Sequence, residues 1–252
     1  MTRKLLFVIP AYNEAENLPH LLTTLSRVER FLDTPIQIIL VDDGSTDHTA
    51  KDVEQYEENL TLHLIQHPTN LGPGAAFRNG FLRALEIAEQ EDVIVTIEAD
   101  NTSDLCVLGR MLEQLDRGSD VVLASVYGQG KIAGTTFFRR FLSFWANLLM
   151  KTTLRIPNIH TFTSFFRVYR CSSLYQLKTR YGDHMIEESG FTCMLEILIK
   201  FHLLGLKITE VPMLLDGKIR LGGSKMKIIR NTQATLAVIG KHLFQKAYEP
   251  GV

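Results

Sequence analysis

Two carboxylates separated by one residue, Glu98-Ala99-Asp100, follow the β-branched run Val93-Ile94-Val95-Thr96-Ile97. The run reads as a buried strand. Residues two apart on an extended chain point to the same side, and open α/β sheets bind ligands at the carboxyl ends of their strands. Hard divalent cations take such oxygens and share the ion with a substrate phosphate. Taken alone, the triplet reads equally as the polar start of a helix, with Asn101, Thr102, Ser103 and Asp104 as caps. The neighbouring loops decide between the two.

Pro10-Ala11-Tyr12-Asn13-Glu14 and Asp42-Asp43-Gly44-Ser45-Thr46-Asp47 each follow an apolar run, Leu5–Ile9 and Ile36–Val41. If these runs are parallel strands, both loops join Glu98 and Asp100 at one crevice. There Tyr12 can lie against a base, and Glu14 and Asp43 can accept from base or ribose donors. Gly72-Pro73-Gly74 looks like part of a dinucleotide fingerprint, but it follows the third strand and position 77 is Phe. The spacing of that motif therefore fails, and a tight loop that lets a helix pack closely is the better account. Arg78 and Asn79 face either the crevice or solvent.

The elements that must position these loops are legible from periodicity. Strands are expected at Leu5–Ile9, 36–41, 60–65, 93–97, 120–124, 162–169 and 207–211. Helices are expected over 14–31, 47–57, 75–90, 104–117, 190–204 and, near the end, 224–247, with a further aromatic and basic helix from Phe137 to about Leu154. The β-α alternation with near-continuous apolar strands means a parallel sheet covered on both faces. One domain over 1–252 is expected, with no linker.

The chain has 252 residues, 45% hydrophobic and 22% charged, as expected of a globular protein. A formal net charge of -1 argues against a general nucleic-acid footprint, although 131–155 and 217–230 are basic. Three scattered cysteines, Cys106, Cys171 and Cys193, point to reduced thiols in a cytosolic compartment. No signal peptide or transmembrane helix is expected, since the apolar run at Leu5–Ile9 is short and no long apolar stretch follows. The eight histidines have no ligand spacing and read as surface or packed residues.

Val8 through Glu14, Val41 through Asp47, and Asn70-Leu71-Gly72-x-Gly74-Ala75-Ala76 together resemble a family 2 glycosyltransferase with the GT-A fold, an α/β, Rossmann-like, mainly parallel mixed sheet with helices on both faces. The likeness runs from about residue 4 to 235. It is strongest to polyprenyl-phosphate and dolichyl-phosphate glycosyltransferases, through Arg139-x-x-x-Ser143, Thr163-Ser164-x-Phe166-Arg167 and Arg220-x-Gly222-Gly223-Ser224-Lys225. The resemblance implies that Pro10, Tyr12, Glu14, Val41 and Asp43 hold the nucleoside of a nucleotide-diphosphate sugar. It implies that Glu98, Ala99 and Asp100 form the acid-x-acid site, with Glu98 and Asp100 binding Mg²⁺ or Mn²⁺. Arg220 and Lys225 would neutralise the diphosphate, and Arg139 and Ser143 would bind an acceptor phosphate. Residues 1–125 would form the nucleotide-sugar half and 126–252 the acceptor half. The expected partner is a lipid phosphate at the cytoplasmic membrane face, reached peripherally or through a membrane-anchoring partner protein, with no nucleic acid.

Glu98 stands where the family usually has Asp, Val126 where it has a basic residue, and Thr161 and Phe165 where it often has Asp and Gly. Two rival readings follow. A sugar hydroxyl acceptor would need a general base, and Asp183, Glu187 and Glu188 are the crowded acids in the second half. A catalytically silent nucleotide-binding module would bind nucleotide without transfer. Phe137, Phe138, Phe141, Phe144 and Trp145, with Arg139 and Arg140, read as either an interfacial helix or a core helix with a basic edge.

Overall fold

The computed structural model describes residues 3–51, 53, 60–127, 130–133, 150–154 and 156–216, with positions 145, 148, 221, 234, 235, 237, 238 and 240. In chain order the first elements are β1 (Leu5–Ala11), α1 (Leu18–Leu32), β2 (Ile36–Asp42), β3 (Thr61–Gln66), α2 (Pro73–Ile87) and β4 (Val93–Thr96). A 3₁₀ turn (Leu105–Val107) leads into α3 (Leu108–Asp116), followed by β5 (Val121–Ser125) and β6 (Lys131–Ala133). Then come β7 (Arg167–Arg170), α4 (Cys171–Tyr181), α5 (Cys193–Leu203), β8 (Ile208–Pro212) and β9 (Leu214–Asp216).

The main sheet has seven strands in the order β3-β2-β1-β4-β7-β5-β8, and β6 and β9 form a separate parallel pair. β1 is parallel to both β2 and β4, with Val8 opposite Ile39 on one side and Thr96 on the other. β7 runs antiparallel between β4 and β5. The sheet is therefore mixed and mainly parallel, as expected.

Alternation along each inner strand feeds two cores, because successive side chains leave opposite faces. Leu6 and Val8 of β1, Ile39 and Val41 of β2 and Ile94 of β4 pack with Phe77 and Phe81 of α2 and with residues of α4 and α5. Leu5, Phe7, Ile9, Ile38, Leu40 and Val95 pack on the other face with Leu21, Leu22 and Leu25 of α1 and Met111 and Leu115 of α3. A strand buried on both sides must be apolar at every position, hence the unbroken runs. β3, at the edge, is half exposed instead.

Several elements differ from the periodicity. The helix expected from Glu14 starts at Leu18, with Pro19 in its first turn, where a missing N–H does no harm. Residues 14–17 form a turn in which the Glu14 carbonyl accepts from Asn17 N–H and Leu18 N–H. Where a helix over 47–57 was expected, 47–50 are bends and turns closed by Asp47, 51 and 53 are 3₁₀-helical, and 52 and 54–59 fall outside the described residues. The strand expected over 162–169 is confined to β7. The Arg167 guanidinium takes the carbonyls of Ser164 (2.7 Å) and Phe162 (2.9 Å), so these groups satisfy themselves away from a ladder. α4 has no strong periodic signal, because only Cys171, Ser173, Leu174 and Leu177 are buried in it. The expected helices over 137–154 and 224–247 are helical at their described positions, and the remainder of each lies outside the described residues. Among the described residues no helix is long and apolar enough to cross a membrane.

Cys171 and Cys193 are buried and Cys106 is exposed. Burial pushes the Cys171 thiol up to about 11, and pushes Cys193 up further. A thiol held protonated by the fold contributes stability that is complete below its unfolded value, and this is lost as pH rises through the folded value. Thermal stability is therefore expected to fall between pH 9 and about 11, and less so in Cys171→Ala. Native protein at pH 8 is expected to titrate one thiol, Cys106, against three after denaturation.

Candidate active site

Because β1, β2 and β4 are parallel, the loops leaving their carboxyl ends lie along one edge of the sheet. The first two loops are zipped together. Asn13, at φ 53°, donates its N–H to Ser45 Oγ (2.9 Å) and accepts Thr46 N–H on Oδ1 (2.8 Å). Glu14 N–H donates to Thr49 Oγ1 at 2.9 Å, and Thr49 is in turn held by Asp47. Asp42 Oδ1 accepts Ser45 N–H at 3.0 Å, closing the turn. Much of the Asp-Asp-Gly-Ser-Thr-Asp run is thus local scaffolding, as short polar side chains in turns usually are.

Asp43 is more heavily engaged. Its Oδ1 meets His67 Nδ1 at 2.7 Å and accepts Leu71 N–H at 2.9 Å, and its Oδ2 accepts Gly72 N–H at 2.8 Å. An ionised carboxylate has about four lone-pair sites, so one direction on Oδ2 is left for a ligand. His67 Nε2 faces Asn79 Nδ2 at 2.9 Å. An amide nitrogen only donates, so as placed the Asn79 carboxamide points a donor at Nε2 while Nδ1 faces the Asp43 carboxylate. His67 is a packed histidine that joins β3, α2 and the loop after β2. Sequence reasoning missed this role because nothing in the spacing of His67 marks Asp43 as its partner. Asn79, left open by the sequence, faces inward to this network.

The acid pair follows β4. Ile97 N–H still reaches Val8 O (3.4 Å), so the pairing carries past the strand. Glu98 is half-buried, whereas Ala99 and Asp100 are buried. Asp100 Oδ1 accepts both Thr102 N–H (3.1 Å) and Thr102 Oγ1–H (2.8 Å), across Asn101 at φ 61°. Thr102, read from the sequence as a cap, fixes the orientation of the Asp100 carboxylate. Ser103 then bridges Leu215, which brings β9 beside this turn.

Pro10 and Tyr12 are half-buried at the carboxyl end of β1, and Glu14 is buried with Oε2 accepting from Asn17 Nδ2 (2.7 Å). Val41 is fully buried in the core under α2, so its side chain supports the edge from beneath. Arg139, Ser143, Arg220 and Lys225 lie outside the described residues.

The crowded acids of the second half border the glycine loop through their backbone. Gly74 N–H donates to Ser189 O at 3.0 Å. A Cβ on Gly74 would stand 1.8 Å from Glu188 O, and one on Gly72, at φ +91°, would stand 2.4 Å from Ser189 O. The glycines therefore admit another chain segment, not a phosphate. That segment is itself fixed: the buried Glu196 carboxylate accepts Glu187 N–H and Glu188 N–H and pairs with buried Lys200. Asp183 and Glu187 are exposed, and Glu188 is half-buried with Oε2 accepting from Thr192 Oγ1 at 2.9 Å.

A mainly parallel mixed sheet with helices on both faces and an acid-x-acid turn beside two interlocked polar loops at its carboxyl edge is the architecture expected of the GT-A fold. Residues 6–178 match the family Glycosyl transferase family 2. The chain belongs to that family and is a glycosyltransferase. It is 31% identical over 226 residues to undecaprenyl-phosphate mannosyltransferase of Micrococcus luteus, covering 88% of this chain and 87% of that protein. It is 31% identical over 235 residues to dolichyl-phosphate beta-glucosyltransferase of Trichomonas vaginalis, covering 88% and 67%. The fold is shared with glucosyl-3-phosphoglycerate synthase of Mycobacterium tuberculosis, solved with Mn²⁺, UDP and glucosyl-3-phosphoglycerate. The TM-score is 0.65 at 20% identity, covering 94% of this chain and 80% of the other.

Proposed function

We propose that this glycosyltransferase moves a hexose from a nucleotide-diphosphate sugar to a polyprenyl phosphate, with inversion and with a divalent cation, Mg²⁺ or Mn²⁺. The observation that carries the donor side is the placement of Asp100, buried and oriented by Thr102, on the same sheet edge as the interlocked loops of Tyr12, Glu14 and Asp43. The names of the lipid-phosphate relatives support the acceptor. In this reading the whole chain, 1–252, is one domain, with 1–125 serving the donor and 126–252 the acceptor.

The residues present fit a divalent cation. Among the described residues no cluster of three or more His, Cys, Asp and Glu forms a protein cage. Two carboxylates, Glu98 and Asp100, are the donor set with which such an ion completes its shell from substrate phosphates and water. When bound, the cation neutralises charge on the leaving diphosphate. Tyr12, Glu14 and the remaining direction on Asp43 orient the nucleoside, while Arg220 and Lys225 add positive charge where the leaving phosphate becomes more negative. Arg139 and Ser143 hold the acceptor phosphate. An acceptor that is already anionic attacks the anomeric carbon without a strong base, and attack opposite the leaving group inverts it. The protein works peripherally at the membrane that carries the lipid.

The test is one assay. Labelled GDP-mannose, UDP-glucose and UDP-N-acetylglucosamine are incubated with Mn²⁺, with and without polyprenyl phosphate, and with a chelator control. Label in the lipid phase that requires both cation and phosphorylated lipid is the expected result. Transfer to a sugar hydroxyl in preference to lipid phosphate overturns the acceptor. No transfer from any of the three donors overturns the donor class.

The half-buried Glu188 carboxylate, on a segment packed by its main chain against the glycine loop, is the observation behind one second reading, a hydroxyl acceptor deprotonated by Glu188. The two separate on Glu188→Ala, which abolishes transfer if Glu188 is the base and leaves a phosphate-acceptor enzyme active within about tenfold.

A further inference from the structure

The three protein partners of Asp43 are shared unevenly between its two carboxylate oxygens. His67 Nδ1, at 2.7 Å, and Leu71 N–H, at 2.9 Å, both lie on Oδ1, whereas Gly72 N–H alone lies on Oδ2, at 2.8 Å. Whichever partner holds the proton between His67 and Asp43, that direction on Oδ1 is filled. Each carboxylate oxygen has about two lone-pair directions. Oδ1 is therefore full, and Oδ2 keeps one direction open.

The carboxylate is not free to turn and open a second direction. Two of its partners are main-chain N–H groups of one loop, and that loop is pinned. Gly72 sits at φ +91°, where an added Cβ would run into Ser189 O, and Gly74 N–H donates to the same Ser189 carbonyl. The third partner is pinned from behind, since Asn79 of α2 places Nδ2 2.9 Å from His67 Nε2. Rotation of the Asp43 side chain, buried at 4% exposure, would give up all three contacts at once.

A carboxylate with one open direction discriminates between bases. Guanine carries N1–H and N2–H side by side on its pairing edge, and a carboxylate grips them with one lone pair from each oxygen. Here that fork is closed, so the second N–H would be driven at an oxygen to which His67 and Leu71 are already bound. Cytosine and adenine carry a bare ring nitrogen at the centre of the same edge, which the lone pairs of a carboxylate repel. Uracil carries one N–H there, N3–H, between two carbonyls, and fits a single open direction. We propose that Asp43 is the specificity-determining residue for the donor's base, admitting uracil and refusing guanine, so that the donor is a uridine-diphosphate sugar, and that His67 is the positioning residue that keeps the fork closed. The inference rests on the nucleotide-sugar reading above and narrows it to one nucleotide. It needs only that the base, rather than a ribose hydroxyl, meets Asp43; a ribose contact would leave all four nucleotides equivalent.

The test is a calorimetric titration, with Mn²⁺, of UDP, N3-methyl-UDP, CDP, ADP and GDP into the wild-type chain, His67→Ala and His67→Asn. In the wild type UDP is expected to bind at least about tenfold tighter than each of the others, the worth of one hydrogen bond to a charged group. His67→Ala opens Oδ1 and is expected to narrow the UDP-to-GDP ratio by about threefold or more. His67→Asn, whose Nδ2 can stand where the ring has Nδ1, is expected to restore the ratio. A histidine that only packs would weaken both ligands alike, and an unchanged ratio in His67→Ala overturns its positioning role. Wild-type binding of GDP, CDP, ADP or N3-methyl-UDP as tight as that of UDP overturns the base assignment and leaves the donor class standing, and this comparison needs no variant to fold. A wild-type chain that binds none of the five overturns the nucleotide-sugar reading as well.

Discussion

Asp100→Asn is expected to lower glycosyl transfer by about 100- to 1000-fold with the fold intact, the size of effect seen when one group that stabilises developing charge is removed. The substitution separates two functions of the side chain. Asp100 Oδ1 accepts from Thr102 N–H and Oγ1–H, and the amide oxygen of asparagine accepts the same two bonds. The turn after β4 therefore survives. The negative charge does not, and with it goes the affinity for a hard cation. Circular dichroism and melting are expected to match the wild type while kcat falls, and added Mn²⁺ is expected to help little. Asp100→Ala loses the same activity and also frees Thr102, so its melting temperature drops as well. Glu98→Asp, which restores the acid usual in the family, is expected to retain transfer. An Asp100→Asn enzyme within tenfold of wild type would remove Asp100 from the site.

Gly74→Ala is expected to be the most damaging single methyl in the described chain. The added carbon would lie 1.8 Å from Glu188 O, 2.8 Å from Glu188 C and 3.1 Å from Ser189 Cα. All three are backbone atoms, and no rotamer change relieves them. Either α2 or the 188–189 segment must move, and the bond from Gly74 N–H to Ser189 O is lost with it. Glu196 holds that segment by two main-chain N–H groups, so it yields poorly. Overpacking at about 1–3 kcal/mol plus a hydrogen bond at about 1 kcal/mol gives a loss of about 2–4 kcal/mol, or about 5–15 °C in Tm. Donor affinity is expected to fall too, because Gly72 is bonded to Asp43. Gly109→Ala is the control of opposite sign. It lies in α3 with nothing within 4 Å of an added Cβ, so it is expected to stabilise by up to about 1 kcal/mol through the unfolded chain. Scanning calorimetry of the two variants checks both signs, and a Gly74→Ala protein that melts with the wild type would show that the close approach is dispensable.

The contrast between these two glycines shows where sequence reading stops. Each is a glycine at the start of a helix; the Gly72-Pro73-Gly74 run marks Gly74 as part of a tight, closely packed loop, but nothing local says what packs against it. Gly74 is constrained by a segment more than a hundred residues away in the chain, whereas Gly109 faces space. The same holds for His67, which looks like any other histidine until the fold sets it against Asp43.

The sequence by itself determined the inner strands, the two-faced α/β layering and the three polar loops at the carboxyl edge that we propose carry the donor chemistry. Those features are written locally. A strand buried on both faces must be apolar throughout, and a turn rich in Asp, Asn, Ser and Gly closes on its own side chains, as Asp42 and Asp47 do. Only the tertiary structure decided that β7 enters antiparallel between β4 and β5, that three of Asp43's acceptor directions are taken by the protein, and that Asn17 reaches Leu221. The physical reason is range. Periodicity and turn chemistry record what a residue does with its near neighbours, whereas strand order and buried hydrogen bonds are settled by groups that meet only after the chain has folded.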